Sequence, residues 1–208
     1  MLKVWGRNTS SNVQKVMWAI GEIGLKCERI DIGGPFGKNN EPAYLAMNPN
    51  GLVPTLEEED GSLLWESNTI VRYLAAKHSA GKLMPGDRMA QAQAGKWMDW
   101  QLSVAGPAIF PVFWGLVRTP PEKRDQAAID AGKKKITDAM KIVDAQLNKT
   151  QFLGGDTFTV GDIPVGVMAH RFVTLVPERP AMPGLERWHK ALSARPPYRE
   201  HVTGIPLT

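Results

Sequence analysis

A proline and a nearby helix start are the parts of this sequence whose residue types could do chemistry. Pro54 follows Val53 at the predicted start of a strand, where a proline can lie without donating a ladder hydrogen bond. If the Val53–Pro54 bond is cis, the N–H and C=O groups of Val53 face outward and are free to pair with a peptide-like ligand.

The second feature is a predicted helix that begins at Glu66-Ser67-Asn68 and continues to Lys77. A helix N-terminus offers free N–H groups and the positive end of its dipole, so it can bind a carboxylate. Together with Val53, it predicts a site for a small peptide that has a free α-carboxylate. Ser67 could also simply cap its helix, and both roles are compatible because cap and ligand use the same N–H groups.

The elements that would hold this site alternate between strand and helix over residues 1–78. Short strands are predicted at residues 2–5, 27–32, 55–58 and 63–65, and the turn at Asp60-Gly61 joins the last two. Helices are predicted over residues 12–24, around residues 41–47 and from residue 66 onwards. The order β-α-β-α-β-β-α predicts an α/β unit with a mixed sheet.

Strand patterns disappear after a breaker-rich linker at residues 79–88, so residues 89–208 are predicted to form an all-helical domain. The helical patterns lie at residues 88–101, 121–149, 163–173 and 184–192. The segment Thr159-Val160-Gly161-Asp162 has the form of a capping box ahead of the third. Pro107 and Pro111 are expected to break or kink their helix, and Pro196-Pro197 to end the last one.

Composition excludes several classes of protein. Among 208 residues, 43% are hydrophobic and 22% are charged, as in ordinary globular proteins, and a single cysteine allows no intrachain disulfide. No apolar run approaches the ~18 residues of a membrane span and no signal segment is recognised, so we expect a cytoplasmic protein without a membrane partner. Four scattered histidines predict no metal site.

Charge is unevenly placed along the chain. Residues 1–78 hold 8 Lys and Arg against 9 Asp and Glu, whereas residues 79–208 hold 17 against 12. The basic excess indicates either an anionic ligand or only a solvated surface. The run Lys133-Lys134-Lys135 lies in an amphipathic helix pattern, which favours a solvated face over a nucleic-acid partner.

A small α/β domain with Val-Pro at a strand start and Glu-Ser at a helix start, joined to an all-helical domain, resembles the cytosolic glutathione S-transferase superfamily. The most specific segments are residues 48–56, 65–67 and 152–163, and the resemblance covers essentially the whole chain. It is closest to the bacterial, serine-using theta-like, delta-like and beta-like groups. It implies an N-terminal thioredoxin-like domain with a C-terminal helical bundle, glutathione as co-substrate, no metal, and a homodimer.

The resemblance also implies a set of glutathione-binding residues, namely Val53, Pro54, Glu66, Ser67, Asn68 and Lys38. In the family, the residue before the proline pairs with the cysteinyl backbone, the Glu holds the ammonium group and the Ser holds the γ-glutamyl carboxylate. Leu52 cannot grip the glycine carboxylate, as Lys, Gln or His does in many relatives. A cation elsewhere, Lys38 or Arg7, would have to replace that contact.

The resemblance further implies a hydrogen-bond donor to the glutathione sulfur at the start of the first helix. The thiol is mostly protonated at neutral pH, since its reference pKa is about 8.5, and the thiolate is the nucleophile. Setting Val16 against the matching apolar position of relatives points to Ser10, with Ser11, Asn12 and Thr9 as alternatives. The residues alone favour capping, because Ser, Thr and Asn are the usual N-caps.

The second substrate is expected between the two domains, against aromatic walls that suit an apolar electrophile, while Arg118 could accept an anionic one. The candidate residues are Trp5, Phe36, Phe110, Phe113, Trp114 and Arg118. The predicted function is therefore addition of the glutathione thiol to an electrophilic, apolar small molecule, as in detoxification. A glutathione-dependent disulfide reductase or peroxidase, and a non-catalytic glutathione-binding or scaffold protein, are the alternatives.

Overall fold

The computed structural model describes residues 1–208, and a four-stranded mixed sheet forms the centre of its N-terminal part. The strands are β1 (Leu2–Trp5), β2 (Cys27–Ile30), β3 (Thr55–Glu57) and β4 (Leu63–Trp65). Across the sheet they lie in the order β2-β1-β3-β4, with β1 parallel to β2 and β3 antiparallel to both of its neighbours. The predicted mixed sheet is confirmed, although β2 and β3 end earlier than expected.

Three helices accompany the sheet, α1 (Ser11–Ile23), α2 (Pro42–Leu45) and α3 (Ser67–His78). Helices α1 and α3 pack against each other, and α1 presents Val13 and Val16 to the core, where both are fully buried. Helix α1 stops at Gly24, whose φ of 79° lies in the left-handed region that glycine adopts readily.

The remainder of the chain is helical, as predicted. Its helices are α4 (Arg88–Trp100), α5 (Gly106–Phe113), α6 (Gln126–Leu147), α7 (Asp162–Leu175), α8 (Pro183–Ser193) and α9 (Pro196–Tyr198). Helix α7 is buried on nearly all sides because it packs against α1, α4, α5 and α8. The α/β plus all-α fold class is confirmed, while the exact division at residues 79–88 stays a prediction.

The prolines of this half behave differently from the expectation. Pro107 and Pro111 do not break their helix, because π-helical turns at Gln101–Ala105 and Trp114–Arg118 keep the backbone helical from α4 through α5. Pro107 lies in the first turn of α5, where a proline is tolerated, and π-helical turns occur as single-turn insertions within longer helices. Helix α8 does end at Ser193, ahead of Pro196, but it is not the last helix, because Pro196 opens α9 and a proline fits the first turn of a helix.

The continuous helical stretch Arg88–Arg118 is, by length and composition alone, able to cross a membrane. The sequence patterns did not predict a helical stretch of this length and composition, but the stretch is no clear membrane span. In the fold, its segments pack against α6 and α7, and helices in the core of a globular protein pass the same test.

One hydrophobic core joins the two halves. Trp18 of α1 packs against Tyr198, with ring centroids 4.5 Å apart. The carboxylate of Glu22 accepts two hydrogen bonds from Arg195, at 2.7 and 2.6 Å, and a third from the Trp18 indole at 2.8 Å. These contacts fix α1 against the C-terminal helices, so residues at the start of α1 hold a defined position relative to both halves.

Candidate active site

The loop before β3 is braced so that the backbone of Val53 stays free. The Leu52 carbonyl accepts hydrogen bonds from the Tyr44 hydroxyl at 2.7 Å and from the Asn48 amide at 2.8 Å. The Val53–Pro54 bond is cis. Neither the N–H nor the C=O of Val53 pairs with another backbone group, so both are available to a ligand.

The start of α3 provides the second polar feature. Glu66 is exposed and adopts φ 74° and ψ 106°, a left-handed conformation that few non-glycine residues adopt and that is common at functional sites. Ser67 follows it and is 3% exposed. The Ser67 hydroxyl donates to the side-chain oxygen of Asn12 at 3.3 Å, which joins the start of α3 to the start of α1.

Lys15 lies directly beneath this junction and is fully buried. Its Nζ donates to the side-chain oxygens of Gln101 at 2.7 Å and Asn12 at 3.0 Å, and to Ser67 Oγ at 3.4 Å. All three acceptors are neutral. Burial lowers the pKa of Lys15 to about 7, although attraction by the Glu66 carboxylate opposes this shift.

Lys15 is the functional candidate that the sequence did not reveal. A lysine next to Gln14 in an amphipathic helix normally indicates a solvent-facing side. Here Gln101, from the π-helical turn after α4, covers it. The only signal in the sequence was its closeness to Asn12, three residues earlier.

The four alternatives for the sulfur donor lie together at the start of α1. Ser10 occupies the N-cap position, where its carbonyl accepts from the Gln14 N–H at 2.9 Å, yet its side chain makes no capping hydrogen bond. Ser11 and Asn12 line a cavity of about 240 Å³, whereas Ser10 and Thr9 do not.

This cavity lies between the start of α1 and the helices α5 and α7. Phe110, Phe113 and Arg171 form its far side. Phe110 is 58% exposed and stacks on Trp114, with ring centroids 5.6 Å apart, but Trp114 does not itself line the cavity. The structure therefore places Phe110 and Phe113 on the opposite side of the cavity from Ser11 and Asn12, and their role in binding a substrate stays a prediction.

Two residues predicted for the site point elsewhere. The Trp5 indole donates to Glu57 at 2.9 Å, because alternation along β1 places Trp5 on the same sheet face as Lys3. The Asn68 amide donates to the Met98 carbonyl at 2.8 Å and thus ties α3 to α4.

The remaining predicted residues occupy the margins of the site. Lys38 is exposed, with a φ of 65°, and Phe36 is exposed in a short 3₁₀ turn nearby. The guanidinium carbon of Arg118 lies 5.9 Å from the centre of the Phe113 ring. No group of three or more His, Cys, Asp or Glu side chains is arranged to hold a metal ion.

Comparisons with known proteins identify relatives of this arrangement. Residues 9–77 match the family model of the glutathione S-transferase N-terminal domain, and residues 126–191 match that of the C-terminal domain. The chain is 43% identical over 209 residues to glutathione S-transferase GstB of Escherichia coli K12, with 100% of both chains covered. It is 29% identical to glutathione S-transferase 3 of Zea mays, covering 99% of this chain and 95% of the relative.

Solved structures give the same picture. A theta class glutathione S-transferase from Xanthomonas axonopodis pv. citri, crystallised with glutathione bound, superposes with a TM-score of 0.95 at 41% identity, covering 100% of this chain and 99% of that one. Glutathione transferase F7 of Populus trichocarpa superposes with a TM-score of 0.87 at 26% identity, covering 99% and 100% of the two chains.

Proposed function

Because this chain belongs to the glutathione S-transferase family and is an enzyme of that family, we propose that it activates the glutathione thiol beside the start of α1 for addition to a small electrophile in the adjoining cavity. The observation that carries this proposal is the position of Asn12. Its side chain touches Ser67 at the predicted carboxylate site and also lines the cavity. The two substrates would thus meet at the first turn of α1.

Glutathione would lie along the free backbone of Val53. That backbone would pair with the cysteinyl residue, and Pro54 would shape the loop beneath it. The γ-glutamyl carboxylate would bind at Ser67, where α3 has no acidic residue in its first turn, and the ammonium group at the exposed Glu66. The glycine carboxylate would then extend toward Lys38 or Arg7.

Thiol activation would come from the N-terminal end of α1. We assign the donor to Ser10, because its hydroxyl lies at the helix start without a capping bond. A hydroxyl that donates to the sulfur favours the thiolate, and each unit by which the thiol pKa falls corresponds to about 1.4 kcal/mol. The proton leaves to solvent, and the thiolate then attacks the electrophilic carbon.

The ultraviolet absorption of bound glutathione thiolate, titrated with pH, tests this assignment. Wild type should show thiolate at neutral pH, and Ser10→Ala should raise the apparent thiol pKa. Ser11→Ala and Asn12→Ala are the matched controls, and the donor is whichever residue's loss shifts the titration most. If saturating glutathione gives no thiolate at neutral pH in wild type, the activation mechanism is wrong, and disulfide chemistry or a binding role becomes the better account.

We also propose that the protein works as a cytoplasmic homodimer in detoxification, as its resemblance to cytosolic relatives suggests. Sedimentation at micromolar protein concentration tests the assembly. A single species of 22.9 kDa, the mass of one chain, would contradict it.

A further inference from the structure

Arg171 lines the cavity, Arg118 and Arg7 lie near it, and none of the three forms an ion pair with an acidic side chain. The guanidinium carbon of Arg171, on α7, lies 4.1 Å from the centre of the Phe113 ring, and that of Arg118 approaches the same ring at 5.9 Å. Arg7 lies close enough for mutual repulsion with both. Burial, together with this repulsion, lowers the pKa of Arg7 and lowers that of Arg171 to about 10.

Other arginines that pack into the structure donate to carboxylates or to backbone carbonyls, as Arg187 does to the Leu147 and Thr150 carbonyls. Arg195 pairs with Glu22, and Arg29 pairs with Asp31. In contrast, the Nε atoms of Arg7 and Arg171 are buried without a hydrogen-bond partner. The whole Arg171 side chain is only 7% exposed, so little of it can be solvated instead. A charged group buried without a partner is costly, so its retention at a cavity wall indicates that a partner arrives from outside.

We propose that the second substrate is an electrophile bearing a carboxylate, which Arg171 and Arg118 bind while Phe110 and Phe113 hold its apolar body. This inference rests on the proposed function, because it names the class of electrophile for the same cavity. A planar guanidinium binds a carboxylate through two parallel hydrogen bonds, and an aromatic wall beside it suits a flat ring. A cavity of about 240 Å³ admits a single substituted ring.

A matched pair of aryl chlorides tests the charge directly. In 4-chloro-3-nitrobenzoate and its uncharged carboxamide, the glutathione thiolate forms a C–S bond at the chlorine-bearing carbon. The C–Cl bond breaks and chloride leaves with the electron pair, while the thiol proton passes to solvent. The carboxylate takes no part in this chemistry, so a difference in kcat/KM beyond the difference in intrinsic reactivity with free glutathione reports binding of the charge.

Wild type should favour the carboxylate over the carboxamide, after that correction. Arg171→Gln and Arg118→Gln should each reduce kcat/KM for the carboxylate by about 10-fold to 100-fold, the range for losing a charge-assisted hydrogen bond, and should change that for the carboxamide far less. Arg88→Gln, which removes an exposed arginine at the start of α4, is the charge-matched control. Raising the salt concentration should also narrow the preference.

The outcomes separate this inference from the proposed function. If wild type conjugates 1-chloro-2,4-dinitrobenzene but treats the two test substrates alike, the carboxylate site is wrong and the transferase proposal stands. If no electrophile is conjugated, the proposed function itself fails. If Arg171→Gln instead raises the KM for glutathione and leaves the preference unchanged, the cluster binds glutathione's own carboxylate, and the inference is overturned. Arg118 is exposed, so its variant should fold even if Arg171→Gln does not.

Discussion

We expect the stability of the wild-type protein to rise with pH above neutrality, and we expect the replacement of Lys15 by methionine to remove this rise. Lys15 is fully buried among neutral acceptors, and burial lowers its pKa from the ordinary 10.5 to about 7. In the unfolded chain the ordinary value returns. Between these two values the unfolded state binds a proton that the folded state has released, so the free energy of unfolding increases as pH rises.

The magnitude follows from the two pKa values. At pH 7 the folded state is about half protonated at Lys15 and the unfolded state almost completely, whereas by pH 9 the folded state has lost nearly all of that proton. Integrated over this interval, the difference raises the free energy of unfolding by about 2 kcal/mol. Methionine fills a similar volume and does not titrate. Its cost is the donor lost to Gln101, Asn12 and Ser67, about 1–3 kcal/mol at every pH.

Urea unfolding at pH 7, 8 and 9 measures this rise. The free energy of unfolding should rise equally with pH in wild type and in Lys26→Met, which removes an exposed lysine. In Lys15→Met this rise of about 2 kcal/mol between pH 7 and pH 9 should be absent. Cys27 and Tyr44 also have raised pKa values, but they titrate equally in all three proteins and cancel in the difference. If wild type and Lys15→Met change in parallel between pH 7 and pH 9, Lys15 is not a neutralised buried amine and the reasoning is refuted.

Three further predictions concern the fold and the glutathione site. Asp162→Ala should lower the free energy of unfolding by about 3 kcal/mol or more, because the buried carboxylate accepts four hydrogen bonds, including one from the Trp188 indole at 2.9 Å; urea unfolding against the exposed Asp130→Ala measures it. Burial lowers the pKa of His189 from 6.5 to about 4, so the stability present above pH 6.5 should be lost as pH falls from 6.5 to about 4, by up to about 3 kcal/mol, and His189→Gln should reduce this loss in unfolding experiments. Glu66→Gln should raise the KM for glutathione by about 10-fold with little change in kcat, and an unchanged KM would remove Glu66 from the site.

The architecture could be predicted from the sequence because its signals are local. The alternation of strands and helices, the Asp60-Gly61 turn and the position of Pro54 each depend on a few neighbouring residues. Trp5 shows that even the local signal was not fully used. Lys3 and Trp5 are two residues apart in β1, so they share a face of the sheet, and Trp5 could have been excluded from the cavity on that ground.

The long helical stretch shows a different limit. Propensity alone treats Pro107 and Pro111 as breakers, because each removes an N–H donor and crowds the preceding turn. Whether a π-helical turn absorbs that change depends on the packing of α5 against α6 and α7, which no local pattern encodes. The consequence reaches the site, since the first of these turns carries Gln101 and the second ends at Arg118.

The charged groups of the site could not be predicted because their surroundings come from distant parts of the chain. Those surroundings also determine how the site would bind anions. Lys15 and Arg171 come from different halves of the chain, and neither forms a hydrogen-bonded ion pair with a carboxylate, although Glu66 lies close enough to attract Lys15. A carboxylate in place of Gln101 would form a permanent ion pair with Lys15, so an incoming anion would meet a charge that is already compensated. With a neutral amide there, Arg171 and the protonated fraction of Lys15 have no ion-pair partner until anions bind. Carboxylates of glutathione and of the second substrate would then supply the missing ion-pair partners. Their binding would offset the free-energy cost of burying unpaired cations, which would raise the affinity for both substrates.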